Sequence, residues 1–177
     1  MEQAQRKGLT RDLAITGVLI AMGLILPTIF HAFNMGGPVF LPMHIPVLLC
    51  GLLIGRKYGF WSGLITPLLS SILTGMPPLF PVAFTMSIEL ATYGYVSGLL
   101  KKKTNVYVAL IGAQVLGRIV ATLSNFVILG IAGKPFAFST YLTGVFVTAL
   151  PGILLQIILV PAAIIIIEKA GFNKHYE

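Results

Sequence analysis

The sequence predicts an all-α membrane protein: a six-transmembrane-helix bundle with cytoplasmic termini, formed by residues 1–177 as a single integral membrane domain. Three observations carry this prediction. Of the 177 residues 56% are hydrophobic and only 10% charged, with a mean hydropathy of +0.94, a composition that no ordinary soluble domain of this size shows. Apolar stretches approaching the roughly 20 residues needed to cross the hydrocarbon core recur along the chain and leave little for a soluble domain. Finally, the basic residues cluster at alternate connections.

The first span is expected over residues 10–31, behind a basic segment without the short apolar core and small-residue cleavage site of a signal peptide, so it should be retained. The second, residues 43–55, offers only about 13 residues before Arg56 and Lys57 and should be short, tilted or packed against protein. The third runs over 58–74, the fourth over 80–100 up to the lysines at 101–103, the fifth over 106–132 and the sixth over 141–167. Pro27, Pro46, Pro67, Pro151 and Pro161 fall inside or at the ends of spans, where neighbouring helices can satisfy freed carbonyls. They predict kinks that help shape a site.

Arg6, Lys7, Arg11, Arg56, Lys57, Lys101, Lys102, Lys103, Lys169 and Lys174 all fall on one side of this arrangement, whereas the opposite loops, 31–44, 75–79 and 133–140, carry only Lys134. The positive-inside rule puts both termini in the cytoplasm of a multi-pass cell-membrane protein. The net charge of +7 is therefore topological and does not imply nucleic acid. Cys50 is the single cysteine, which excludes an internal disulfide and fits a small buried side chain.

Arg118 lies near the middle of the fifth span. A guanidinium there costs roughly 2.5 to 3.5 kcal/mol on insertion scales and must face a bundle interior or a wet cavity. Gln114, Arg118, Ala121, Thr122 and Asn125 recur at helical spacing, a polar stripe that reads as the wall of a pocket. At about 1.5 Å rise per residue, Glu89, Arg118 and Gln156 each sit roughly 15 to 22 Å from either end of their spans, close to a common midplane. Two readings of Glu89 and Arg118 stay open: an ion pair that lets both enter the membrane, or a site in which Arg118 holds a substrate carboxylate while Glu89 orients it or receives a substrate donor. Thr85 joins the outer half of these helices, and Asn125, with more donors and acceptors to satisfy, is the stronger ligand candidate.

The outer loop, residues 31–44, is too apolar for a plain solvated linker and is expected to fold back over the bundle. Gly36 and Gly37 make it a lid candidate, and Asn34 and His44 are its candidate ligand contacts. No regular ligand spacing supports a metal at His31 or His44, and no cofactor is expected. Small-xxx-small pairs at Gly17/Ala21, Gly51/Gly55, Gly59/Gly63 and Gly94/Gly98 let helix backbones approach closely. They serve packing within the bundle or, in the first three spans, contact with another membrane protein. There is no phosphate-cradling loop and no nucleophile with a matching base, so the chain is not read as an enzyme, and energy for uptake must come from a partner or an ion gradient.

Over nearly its whole length the chain resembles the substrate-binding S components of energy-coupling factor (ECF) vitamin transporters. The resemblance rests on the small, basic, six-span pattern, on Gly17 to Ala21, and on Leu41-Pro-Met-His-Ile-Pro-Val-Leu-Leu-Cys-Gly-Leu-Leu-Ile-Gly, continuing through Lys57-Tyr-Gly-Phe to Thr66-Pro-Leu-Leu-Ser-Ser and Gly75-Met-Pro-Pro-Leu-Phe-Pro. It implies high-affinity capture of a vitamin from outside under the loop. It further implies docking through spans one to three on a transmembrane coupling subunit, and toppling in the membrane lipid as two ATPase subunits drive release. The family's span-one Ala-xxx-Ala motif appears here as Gly17 to Ala21, and the N-terminal Met-His of metal-specific members is missing from Met1-Glu2-Gln3.

Arg118 favours a small anionic or zwitterionic vitamin, pantothenate first; a neutral ring such as a pyridoxine or hydroxymethylpyrimidine compound is the main alternative if Glu89 neutralises Arg118, and folate is a further one. The rival classes are a self-sufficient proton-coupled secondary transporter, which inverted repeats would support, and a purely structural subunit, which three polar residues at midplane argue against.

Overall fold

The computed structural model describes residues 2–33 and 37–170, with only the backbone of residues 2–7 and Pro38. Asn34, Gly36 and Lys174, and the side chains of Arg6 and Lys7, lie outside the described residues. Those residues are helical without strands: α1 (Glu2–Ala32), α2 (Gly37–Phe40), α3 (His44–Leu53), α4 (Arg56–Thr74), α5 (Phe84–Lys101), α6 (Val106–Ile131), α7 (Phe138–Leu142) and α8 (Leu150–Lys169). A wider π-type turn, Leu79–Ala83, leads into α5, and another, Thr143–Thr148, joins α7 to α8.

Among the described residues, three helical stretches are long and apolar enough to cross a membrane: Gly8–Ala32, Val106–Ile131 and Phe138–Lys169. The remaining predicted spans are helical but shorter or more polar. α4 and α5 reach 19 and 18 residues and devote much of their length to Gly, Ser and Thr. α3 has only 10 residues, of which all but Ile45 are buried; protein, rather than lipid, surrounds it.

α5 is the centre of the bundle, flanked by α3, α4 and α6, while α1 leans on α3 and α4, and α8 touches α2, α3 and α6. Glycine makes these crossings possible. A Cβ on Gly94 would lie 2.1 Å from the carbonyl oxygen of Gly59, one on Gly63 would lie 2.2 Å from that of Leu90, and one on Gly51 would lie 2.3 Å from that of Gly94. Gly51, Gly59 and Gly63 thus hold α3 and α4 against α5 inside the bundle, and Gly55, at φ 119°, is the buried N-cap of α4. None of these four presents an outward docking face. Gly17 and Ala21, by contrast, are exposed on α1, with nothing within 4 Å of a Cβ on Gly17.

Polarity runs opposite to that of a soluble protein. Ser62, Thr66 and Ser97 are wholly buried, whereas Val18, Ile25, Leu123, Leu154 and Ile158 are 54–68% exposed. In hydrocarbon nothing drives apolar side chains inward, so small and hydroxyl residues form the helix contacts and large aliphatic ones face the lipid. Ser and Thr hydroxyls largely bond the carbonyl one turn back, as Thr66 does to Ser62 at 2.6 Å, which satisfies most of them within their own helix; Ser62 Oγ is an exception, buried without a partner.

The two ends of the bundle differ. At one end, Lys101 Nζ lies 3.4 Å from Glu168 Oε1 and the Arg56 guanidinium lies 5.9 Å from the centroid of Tyr95, so the basic ends of α4, α5 and α8 gather together. At the other, α4 terminates on Gly75 in the left-handed region (φ 73°), and Leu41 between α2 and α3 holds φ 50°, a conformation costing about 1–3 kcal/mol for a leucine. α2 folds back onto α8 so closely that a Cβ on Gly152 would lie 2.6 Å from the carbonyl oxygen of Val39. The described part of the 31–44 loop is therefore partly helical and seated on the bundle.

Pro27, Pro67 and Pro161 lie inside α1, α4 and α8, whereas Pro46 falls in the first turn of α3. Pro151 likewise occupies the first turn of α8, where its missing N–H leaves no bond unmade. α6 starts on Asn105, whose side chain accepts from the Val108 N–H at 2.9 Å. Asn105→Ala is expected to lower stability by about 1 kcal/mol, read as a lower thermal unfolding midpoint in detergent, with ligand affinity unchanged.

Candidate functional site

The end opposite the clustered lysines opens into a cavity of about 610 Å³, walled by α1, α2, α5, α6 and α7, the two π-type turns, and the segments leading into α3 and α5. Volumes of roughly 300–1,000 Å³ suit small-molecule ligands. All three of the connections expected on the outer side contribute: Leu41 and Pro42 from the first, Met76, Pro77 and Pro78 from the second, and Thr140 from the third. The walls are mainly apolar, with Met43, Met76 and Met86 supplying adaptable surface.

Arg118 enters from α6, and its side chain is almost completely buried at 4% exposure. Its Nη1 donates to the Val145 carbonyl, and its guanidinium lies 5.6 Å from the centroid of Phe146. Its Nη2 is buried and has no partner. The π-type turn at Thr143–Thr148 thus orients the guanidinium by one carbonyl and one ring, and leaves a cationic donor uncommitted in a cavity wall.

Glu89 and Arg118 do not form an ion pair. The Glu89 carboxylate, 17% exposed, lies 3.8 Å from His44 Nε2, and the His44 ring lies 5.3 Å from Tyr93, centroid to centroid, at 58°. The N-terminus of α3 is thereby brought against the middle of α5. His44 Nδ1 and the Tyr93 hydroxyl are buried without partners. Tyr93 itself fits because α6 carries Gly117 opposite it, where a Cβ would lie 1.9 Å from the ring.

Asn125 lines the same cavity; its Nδ2 donates to the Ala121 carbonyl and to the Tyr141 hydroxyl, each at 3.0 Å. Thr85 also lines it and donates to the Val82 carbonyl at 3.0 Å. The structure therefore brings His44, Thr85, Glu89, Arg118 and Asn125 around one space.

Gln114, Gln156 and Thr122 are placed otherwise. Gln114 Nε2 donates to Gln156 Oε1 at 2.9 Å, joining α6 to α8, and both amides are buried away from the cavity wall. Thr122 donates back to the Arg118 carbonyl at 2.8 Å. Gln114→Leu is expected to reduce stability by about 1 kcal/mol, near the range of interhelical hydrogen bonds in membranes, and Gln114→Leu with Gln156→Leu should recover most of the loss. Thermal unfolding of both variants in detergent checks this.

His31, weighed in the sequence only as a metal ligand, also lines the cavity, as do Met43, Met86 and Val145, the last of which acts through its backbone. The methionines near the outer ends of α3 and α5 were the available signal.

A family model described as the ECF transporter substrate-specific component matches residues 11–164. No curated protein and no solved structure gives a significant match. The matched stretch takes in every residue that brings a polar side chain to the cavity and all but the ends of the helices that form it. The chain therefore belongs to the family of substrate-specific components of ECF transporters.

Proposed function

We propose that this substrate-capture subunit binds a small carboxylated vitamin, pantothenate in the first instance, in the cavity around Arg118. The observation that carries the reading is the buried, unpartnered Nη2 of Arg118 in the wall of a vitamin-sized cavity, with Glu89 turned to His44 instead of neutralising it. A carboxylate gives Arg118 its missing acceptor. Glu89, Asn125 and Thr85 then receive the hydroxyl and amide groups of the ligand, while the methionines cover its apolar part.

In this reading the chain forms a six-helix bundle in the cell membrane with both termini in the cytoplasm, supported by the grouping of Arg56, Lys101 and Lys169 at the end away from the cavity. α1 presents Gly17 and Ala21 to a transmembrane coupling subunit, and two ATPase subunits supply the energy. Gly17→Leu with Ala21→Leu is expected to leave vitamin binding unchanged, because the residues are exposed, and to abolish copurification with the coupling subunit.

Calorimetric titration of the purified protein with a panel of water-soluble vitamins tests the substrate. Tight binding of a carboxylated member, with neutral pyridoxine-like and pyrimidine members silent, is the expected result. Selective binding of a neutral ring would overturn the assignment. Uptake should stop when the partner ATPase is disabled; uptake by the isolated chain driven by a proton gradient would make it a secondary transporter.

A further inference from the structure

A second concavity, of about 370 Å³, lies on the lipid-facing seam between α4 and α5, far from the vitamin cavity and near the basic end of the bundle. Lys57, Phe60, Trp61, Thr92 and Tyr95 line it. The aromatic side chains form one connected wall: Phe60 lies 5.4 Å from Trp61 and 6.5 Å from Tyr95, both edge to face. Trp61 is 57% and Tyr95 39% exposed, so the wall is open outward. The Arg56 guanidinium lies over Tyr95 at 5.9 Å and, with Lys57, brings two positive charges to the rim.

Among the described residues those charges are unmatched. Glu168 at the same end is held by Lys101, and among the described residues neither Arg56 nor Lys57 has a carboxylate within ion-pair distance. Trp and Tyr favour the headgroup level of a bilayer, where an amphipathic ring has one edge in hydrocarbon and one in water. Basic pockets between helices at that level attract anionic headgroups, each Lys or Arg contributing about fivefold in affinity.

We propose that the α4–α5 groove is a binding site for one anionic phospholipid, with Arg56 and Lys57 holding the headgroup phosphate and Phe60, Trp61 and Tyr95 flanking the upper acyl chain. A protein partner is less favoured, because a narrow groove with a basic rim matches one headgroup and chain better than a helix face. The site is independent of which vitamin the cavity takes.

Trp61 is the only tryptophan in the chain, so its fluorescence reports on this groove alone. The full-length protein is reconstituted into phosphatidylcholine vesicles containing a series of increasing minor fractions of either acyl-brominated phosphatidylglycerol or acyl-brominated phosphatidylcholine. The brominated anionic lipid is expected to quench Trp61 at a severalfold lower mole fraction than the zwitterionic one. In Arg56→Gln with Lys57→Gln that preference should fall to near equality. Equal quenching by the two lipids in the wild type, as expected if the groove awaits a protein or is ordinary lipid-facing surface, would overturn the proposal, and so would a preference that survives in the double variant. Far-UV circular dichroism of the vesicles verifies that the variant is folded, and Arg56→Lys, which keeps both charges, should keep the preference.

Discussion

Arg118→Ala is expected to abolish high-affinity capture of the carboxylated vitamin while leaving the protein folded. Truncating one member of a buried, hydrogen-bonded charge pair costs about 2–5 kcal/mol, or roughly 30-fold to several-thousand-fold in Kd. The fold should survive because, among the described residues, the Arg118 side chain makes one hydrogen bond, to the Val145 carbonyl, and its removal relieves the burial of a charge with an unpartnered Nη2. Arg118→Lys keeps the charge but loses the planar fork, so its affinity should fall between those of wild type and alanine variant. Calorimetry with the carboxylated vitamin, beside thermal unfolding of each variant, decides the matter. Affinity within threefold of wild type in the alanine variant would remove Arg118 from the site, and an equal loss for a neutral ligand would point to a collapsed cavity.

Gly94→Val is expected to produce the largest loss of stability of any single substitution considered. The new Cβ would meet the Gly59 carbonyl oxygen at 2.1 Å and the Gly59 Cα at 2.8 Å. Those atoms belong to backbone, so no rotamer change relieves the clash and α4 must move away from α5. Overpacking a well-filled interior costs typically 1–3 kcal/mol and occasionally more; the absence of any flexible neighbour puts this site at about 3 kcal/mol or above. α5 also carries Thr85, Met86 and Glu89 into the cavity, so vitamin affinity should fall with stability. Gly17→Val on the open face of α1 is the control, with nothing within 4 Å of its Cβ and an expected change in unfolding midpoint near zero. If both variants melt alike, close backbone contact between α4 and α5 is not what holds the bundle together.

The polar stripe on α6 shows how far periodicity reaches. Spacing placed Gln114, Arg118, Thr122 and Asn125 on one face, but these residues extend over roughly 16 Å of helix axis at about 1.5 Å per residue. The cavity covers only part of that length. Arg118 and Asn125 reach it, Gln114 meets Gln156 on α8, and Thr122 bonds the Arg118 carbonyl. Gln114 lies outside the depth over which other segments enclose the cavity, whereas Thr122 sits between Arg118 and Asn125 in depth and spends its hydroxyl on the helix backbone.

His44 and Glu89 make the same point from separate elements. Each was a candidate singly, yet their approach to 3.8 Å depends on α3 being short and enclosed, which packs its N-terminus against α5. The glycine pairs were ambiguous for a related reason: Gly17/Ala21 and Gly59/Gly63 have the same spacing, but one pair faces outward and the other meets α5. Small size permits close approach without specifying which partner arrives.

By itself the sequence determined the all-helical class, the membrane environment, the family, the bounds of α3, α4, α5 and α6 to within a few residues, and the presence of a buried cation needing a partner. These follow from composition, run length and charge, which act residue by residue along the chain. The sequence did not show α2 inside the 31–44 loop or the break of the 141–167 stretch into α7, the Thr143–Thr148 turn and α8. Only the tertiary structure decided that Glu89 faces His44 instead of Arg118, that the two glutamines bond each other, and that the Thr143–Thr148 turn supplies the carbonyl orienting Arg118. Those outcomes depend on the relative depth and rotation of helices far apart in sequence, and such distances are settled by packing alone.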